Sequence, residues 1–214
     1  MIERKSLLLV EGKSEMCLIG ELCSLYDIDI NFKTVNNNSI TNLKISLKTH
    51  LKSTNEYNKI WVIIDADTNF ESAWQSIRDI LMRSGKYSII KHNTPIPRKG
   101  IIVYPDDAND ITIGVWIMPN NKDNGMLEDF LISLIKCNDT LYGKAANIVD
   151  EIEAERSSHP NVYKSVHKSK AVIHTWLAWQ DAPGESLGTA VKKKMFSTDK
   201  NLCKKFTEWL NALN

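Results

Sequence analysis

The sequence predicts an α/β fold in which a mostly parallel central sheet is flanked by helices. Three observations carry this. The runs "SLLLV" (Ser6 to Val10) and "KIWVII" (Lys59 to Ile64) are short, continuous and apolar, the pattern of strands buried on both faces. Behind the first run, Met16, Ile19, Leu22 and Cys23 recur at helical spacing, as do Ile40, Leu43, Leu47 and Leu51 before the second. Strand and helix thus alternate through the first half, which calls for crossover connections and parallel pairing.

Taken in order, Ser14 is the expected N-cap of the first helix, since a short hydroxyl side chain can accept from a free backbone N–H. "NFKTV" (Asn31 to Val35) alternates as a short strand. After "KIWVII" a helix is expected from about Glu71 to Arg83, stopped by Gly85. "GIIVYP" and "ITIGVWIMP" are two further strands joined by the acidic loop "DDAND", either as a hairpin or as an extension of the sheet. "NNKDNG" is a turn, and "MLEDFLISLI" opens a helix. Beyond Asn138 the chain reads as helical over Ala145 to Glu155, Lys168 to Trp179 and Leu202 to Leu213, with "DAPGESLG" as a loop before the last. This divides the chain into an α/β core with an added strand pair over 1–136 and a helical C-terminal extension packed on it over 137–214.

The 214 residues are 43% hydrophobic and 25% charged, enough apolar material for a sizeable core. Net charge is +1, so the total announces no polyanionic partner, but its distribution is uneven. Acids outnumber bases from Pro105 to Glu153, and bases return in "YKSVHKSK", "VKKKMF" and "LCKKF", which can meet phosphates or simply face solvent. Cys17, Cys23, Cys137 and Cys203 show no zinc-ligand spacing, and Cys17 and Cys23 fall in a helical pattern as core residues. No apolar run reaches the length of a membrane helix, and "LLLV" is too short for a signal peptide. These features describe a reduced, cytoplasmic chain without a membrane partner.

Both buried strands end in acids: the first in Glu11, the second in Asp65 and Asp67. The carboxyl ends of parallel strands share one edge, where α/β proteins bind ligands. On an extended segment Asp65 and Asp67 project to one side and Ala66 to the other. Gathered carboxylates resist ionising together, and a divalent cation removes that cost. Magnesium binds through one or two carboxylates with water and substrate phosphates, so Mg2+ or Mn2+ serving phosphoryl chemistry is the expected cofactor. Gly12 lets backbone approach a phosphate, and Lys13 with the helix start can hold an anion. Glu15 lies in the first helical turn, where an acid is also favoured by the helix dipole.

"LLLVEGKSE" followed by "VIIDAD" resembles the TOPRIM domain of topoisomerases, bacterial primases, overcoming-lysogenization-defect nucleases and small ribosomal-RNA maturases. The resemblance implies a TOPRIM-like, Rossmann-type core, with Glu11 matching the acid/base glutamate and Asp65 and Asp67 the metal-binding pair. It covers about the first half of the chain. "GVWIMPNNKDNGMLEDFL" and "AWQDAPGESLGTAV" resemble signatures of small stand-alone TOPRIM proteins related in outline to the nuclease branch. Related nucleases use a lysine against the transferring phosphate, and Lys170 is the candidate here. No ATPase P-loop is present, and no zinc-binding or tyrosine-bearing strand-passage module.

Glu128 could complete a second metal position, with Asp129 beside it; the competing reading is an acid pair at a helix N-terminus. Asn120 and Asn121 read as turn residues, and Asp106, Asp107 and Asp110 as solvated loop charge. Trp176 and Trp179, three apart, share a helix face and read as core. The expected function is a metal-dependent nuclease or related phosphodiester-processing enzyme acting on DNA or RNA. The alternative is a non-catalytic nucleic-acid or nucleotide-binding module, and a primase-like polymerase is a third reading. A homodimer or a protein partner stays open.

Overall fold

The computed structural model describes residues 5–29, 31–53 and 56–214. In chain order the strands and α-helices are β1 (Lys5–Val10), α1 (Lys13–Leu25), β2 (Phe32–Asn36), α2 (Ile40–Lys52), β3 (Tyr57–Asp65), α3 (Phe70–Ser84), β4 (Ile101–Val103), β5 (Thr112–Met118), α4 (Leu127–Ser133), α5 (Thr140–Ala154), α6 (Lys168–Ala178), α7 (Leu187–Lys192) and α8 (Asn201–Asn211). The strands form one sheet in the order β2-β1-β3-β5-β4. The first four pair in parallel, and β4 lies antiparallel on β5. The strand pair left open by the sequence therefore does both things: it makes a hairpin, and β5 extends the sheet.

Strict alternation along the central strands sends their side chains into two cores. Leu8, Val10, Trp61, Ile63, Trp116 and Met118 join one, with α1, α4, α6, α7 and α8 packed on them. Leu7, Leu9, Ile60, Val62, Ile64, Ile113, Val115 and Ile117 join the other, under α2 and α3. Because both faces are covered, the strands read in sequence as unbroken apolar runs. Gly114 belongs to this packing, since a Cβ there would stand 2.5 Å from Cδ2 of the Trp61 indole.

The C-terminal helices are part of that first core. Trp209 and Phe206 of α8 meet Trp116 at ring-centroid distances of 5.6 and 5.0 Å. The Trp61 indole N–H donates to the Trp209 carbonyl at 2.9 Å, and Ser6 Oγ donates to the Leu213 carbonyl at 2.8 Å. No helix among the described residues is long and apolar enough to cross a membrane.

Several local expectations are corrected. α1 begins at Lys13, so its N-cap is Gly12 and Ser14 lies inside the first turn. Cys17 is exposed, one position off the stripe of Leu18, Ile19, Leu22 and Cys23. Trp176 is core but Trp179 is 41% exposed, because α6 ends before it. The segment read as the loop "DAPGESLG" runs into α7, whose N-cap Ser186 accepts from Thr189 N at 3.2 Å; α7 packs on α1. Six residues are too few to show a helical period. Gly85 ends α3 as expected, in the left-handed region at φ 70°.

Candidate acid centre at the sheet edge

From β1 the chain turns to β2 on one side of the sheet, and β3 returns on the other. The strand order thus reverses between β1 and β3, and the crevice beyond their carboxyl ends is where open α/β sheets hold ligands. In register, Val10 stands level with Ile63. Glu11 leaves β1 here and Asp65 ends β3, so the topology brings the two acids to one rim.

Their contact is direct, though through the backbone. Glu11 Oε1 accepts from the Asp65 N–H at 3.0 Å. Asp65 Oδ1 in turn accepts from the Leu127 N–H, the first residue of α4, at 3.1 Å. That bond seats the next residue, Glu128, which is 4% exposed. Lys170 of α6 reaches it, with Nζ 3.4 Å from Glu128 Oε1. Glu15, on the first turn of α1, is 8% exposed, and its Oε2 is shut from solvent without a hydrogen-bond partner. Gly12 gives that oxygen its room: a Cβ there would lie 2.7 Å from it.

The acids feel one another. Burial pushes the Asp65 carboxyl well above the usual range, and the negative charges of Glu15, Glu11, Glu128 and Asp67 add to it. Burial raises Glu11 to about 7; Asp67 and Glu15 push the same way, while the Asp65 N–H and the Lys44 ammonium oppose them. Glu15 is raised by burial and then by Glu128, against its own and the Gly12 backbone N–H and the charge of Lys170. Hard oxygen donors in mutual repulsion, one of them orphaned, are the chemistry a divalent cation satisfies. As they stand, no three His, Cys, Asp or Glu side chains among the described residues form a ready-made metal cage.

Asp67 is not on an extended segment. Its φ is +49°, and its N–H and carbonyl pair with Gly125 at 2.9 and 2.8 Å. The alternation that was to align it with Asp65 therefore ends at Ala66, whose N–H still bonds Met118 O. Asp67 is exposed and joins the group by charge. Asp129 is spent structurally: Oδ2 accepts from Met126 N at 2.8 Å, and Oδ1 accepts from Ser169 Oγ. Lys13 is exposed, and no hydrogen bond or ion pair ties it to the acids among the described residues. Asp106, Asp107 and Asp110 bond Ser88, Asn109 and Lys86 within their loop region. Asn121 is a plug as well as a turn residue, 2% exposed, its Oδ1 accepting from Ile117 N at 2.7 Å.

Two contributors carried no readable sign in the sequence. Asn37, 8% exposed, donates from Nδ2 to the Val10 carbonyl at 3.1 Å and fixes the end of β1 just before Glu11. Lys44 comes from α2, where it reads as an ordinary solvent-face lysine.

Fold and site together define an α/β protein with a carboxylate cluster and one lysine at the switch point of a mostly parallel sheet. The chain belongs to the DUF3226 family, described as a protein of unknown function, which matches residues 5–214. Among solved structures it is similar to the C-terminal region of the OLD protein of Xanthomonas campestris pv. campestris. Identity is 12% and the TM-score 0.45, over 100% of this chain and 97% of that one. No curated protein matches the chain.

Proposed function

We propose that the chain is a divalent-metal-dependent phosphodiesterase acting on nucleic acid, built on a TOPRIM-like core. The observation that carries the proposal is the convergence of Glu11, Glu15, Asp65 and Glu128 from just past β1, from α1, from the end of β3 and from α4, each buried or partly buried and mutually repelling. Structural acids at strand ends gain nothing from such crowding. The motif resemblance of "LLLVEGKSE" and "VIIDAD" supports the same reading.

Asp65, Glu15 and Glu128, with Asp67 at the exposed side, would hold Mg2+ or Mn2+; water and substrate oxygens complete such sites when carboxylates are few. The ion supplies charge neutralisation and polarisation of the phosphodiester. Glu11, with its proton affinity raised to about 7, is matched to accept a proton from water near neutral pH. The Asp65 N–H orients it through Oε1. Lys170, whose Nζ lies 3.4 Å from Glu128 Oε1, would bear on a phosphate oxygen. Gly12 and Lys13 would let the backbone of the strand come close.

The test is cleavage of labelled single- and double-stranded DNA and RNA with Mg2+ or Mn2+. Activity in the wild type, with at least a hundredfold loss in both Glu11→Gln and Asp65→Asn while their circular dichroism stays native, supports the enzyme. A second reading, a binding module without turnover, is favoured by the lack of a ready-made three-acid cage among the described residues. It predicts nucleic-acid binding with no cleavage under either metal.

A further inference from the structure

Beside the acid rim lies a second feature of opposite charge. A polar cavity of about 740 Å³ opens where the start of α3 meets the segments 92–98 and 121–122. Arg78, His92, Arg98 and Lys122 line it, against the single acid Glu71. Arg78 Nε is shut from solvent and has no hydrogen-bond partner, so a donor is held in the cavity lining with nothing to donate to. No ion pair neutralises Arg78 or Arg98 among the described residues, and the only one recorded for Lys122 is a wide, exposed contact with Asp123 at 3.7 Å.

The cavity is fixed relative to the acids. Phe70, on its wall, opens α3 directly after the loop that holds Asp67, and its N–H donates to Asn124 Oδ1 at 2.8 Å. Asn124 Nδ2 returns to the Thr68 carbonyl at 2.8 Å, and the Asp67–Gly125 bridge closes the pair of loops. One loop pair thus carries Asp67 and the cavity wall together. The cavity also continues. A second depression of about 300 Å³ shares Arg98 and Lys122 with it and leads to Lys205 on α8. Cations therefore recur along a path longer than one phosphate.

We infer that this cationic cavity and its continuation bind the sugar–phosphate backbone of a nucleic-acid strand that passes the acid centre. The inference deepens the proposed function and rests on it for the direction of the strand toward the acids. A solitary anion would need one donor cluster; spaced cations shared between two connected depressions suit linked phosphates. The partly buried Phe70 and the exposed Arg98 both line the cavity, and an aromatic ring and a guanidinium plane are surfaces on which unstacked bases can rest, which favours a single strand.

The experiment measures equilibrium binding of labelled oligothymidylate in EDTA, where no cleavage can occur, across a salt series. Arg98→Gln/Lys122→Gln removes two exposed cations, of which Lys122 makes only the wide surface contact with Asp123, and unchanged thermal unfolding shows that the fold is kept. The double variant is expected to bind roughly tenfold more weakly, with the slope of log affinity against log salt smaller by about 1.4. Asp65→Asn is expected to bind at least as well as the wild type. Unchanged affinity and slope in the double variant overturn the inference, as does equal competition by thymidine monophosphate at matched phosphate concentration. Binding lost in the double variant, with no cleavage under any metal, keeps the strand path and removes the nuclease; cleavage with unchanged binding does the reverse.

Discussion

Glu11 shows how a single residue acquires a role from its surroundings. Its raised proton affinity is chiefly the cost of burying a charge, and the neighbouring acids increase it. The folded state therefore favours the protonated form. Its stabilising effect is complete below the ordinary value of 4.5 and is lost as pH rises through about 7. Asp65 and Glu15 are raised too and act in the same direction. In metal-free buffer the unfolding free energy should fall between pH 4.5 and pH 7, and Glu11→Gln should flatten that fall; denaturant titrations at several pH values read both. Gly12→Ala is the sharper steric probe. The backbone there is extended, so alanine fits the conformation, but its Cβ must displace Glu15 Oε2 from 2.7 Å. Manganese affinity should drop severalfold with the melting temperature nearly unchanged. At this scale the sequence exposed Glu11 and Asp65 because strands end where their apolar runs stop. It could not expose the burial of Glu15 or the service of Asn37, which depend on residues distant in the chain.

At the scale of elements, the site depends on how α4 and α6 are held. Asp129 caps α4 through the Met126 N–H and is bonded by Ser169 of α6, so one side chain joins the helix of Glu128 to the helix of Lys170. Asp129→Ala should cost about 0.5–2 kcal/mol, the range for losing a helix-capping hydrogen bond, and should lower the activity of the folded fraction as well. A mere surface acid would show neither effect. In the sheet, Gly114→Ala presses a methyl on the Trp61 indole and should cost about 1–3 kcal/mol by overpacking, read as a lower midpoint in urea. The long elements were legible because their periodicity is strong over a dozen residues, as in α2 and α3. Short α7 was not, nor was the turn at Asp67, where a pairing with Gly125 in a remote loop overrides the strand pattern.

For the whole molecule, the C-terminal helices complete one face of the sheet. Trp209 packs on both Trp61 and Trp116, and Phe206 on Trp116, so removing α8 uncovers part of both indoles. Trp209→Ala should cost about 3–5 kcal/mol, within the range for buried aromatic truncations. A fragment ending at 136 should remain unfolded or aggregate, visible as lost near-ultraviolet dichroism. The sequence showed that a helical tail follows the core, but its amphipathic helices do not say which face they cover.

On the proposed reading, the carboxylates at the junction of β1 and β3 are crowded because a cation belongs among them. A crystal grown with manganese tests it most directly. An anomalous peak among Glu11, Glu15, Asp65, Asp67 and Glu128, absent in Asp65→Asn, is the expected result. Manganese bound only elsewhere, with those side chains unmoved, would contradict it.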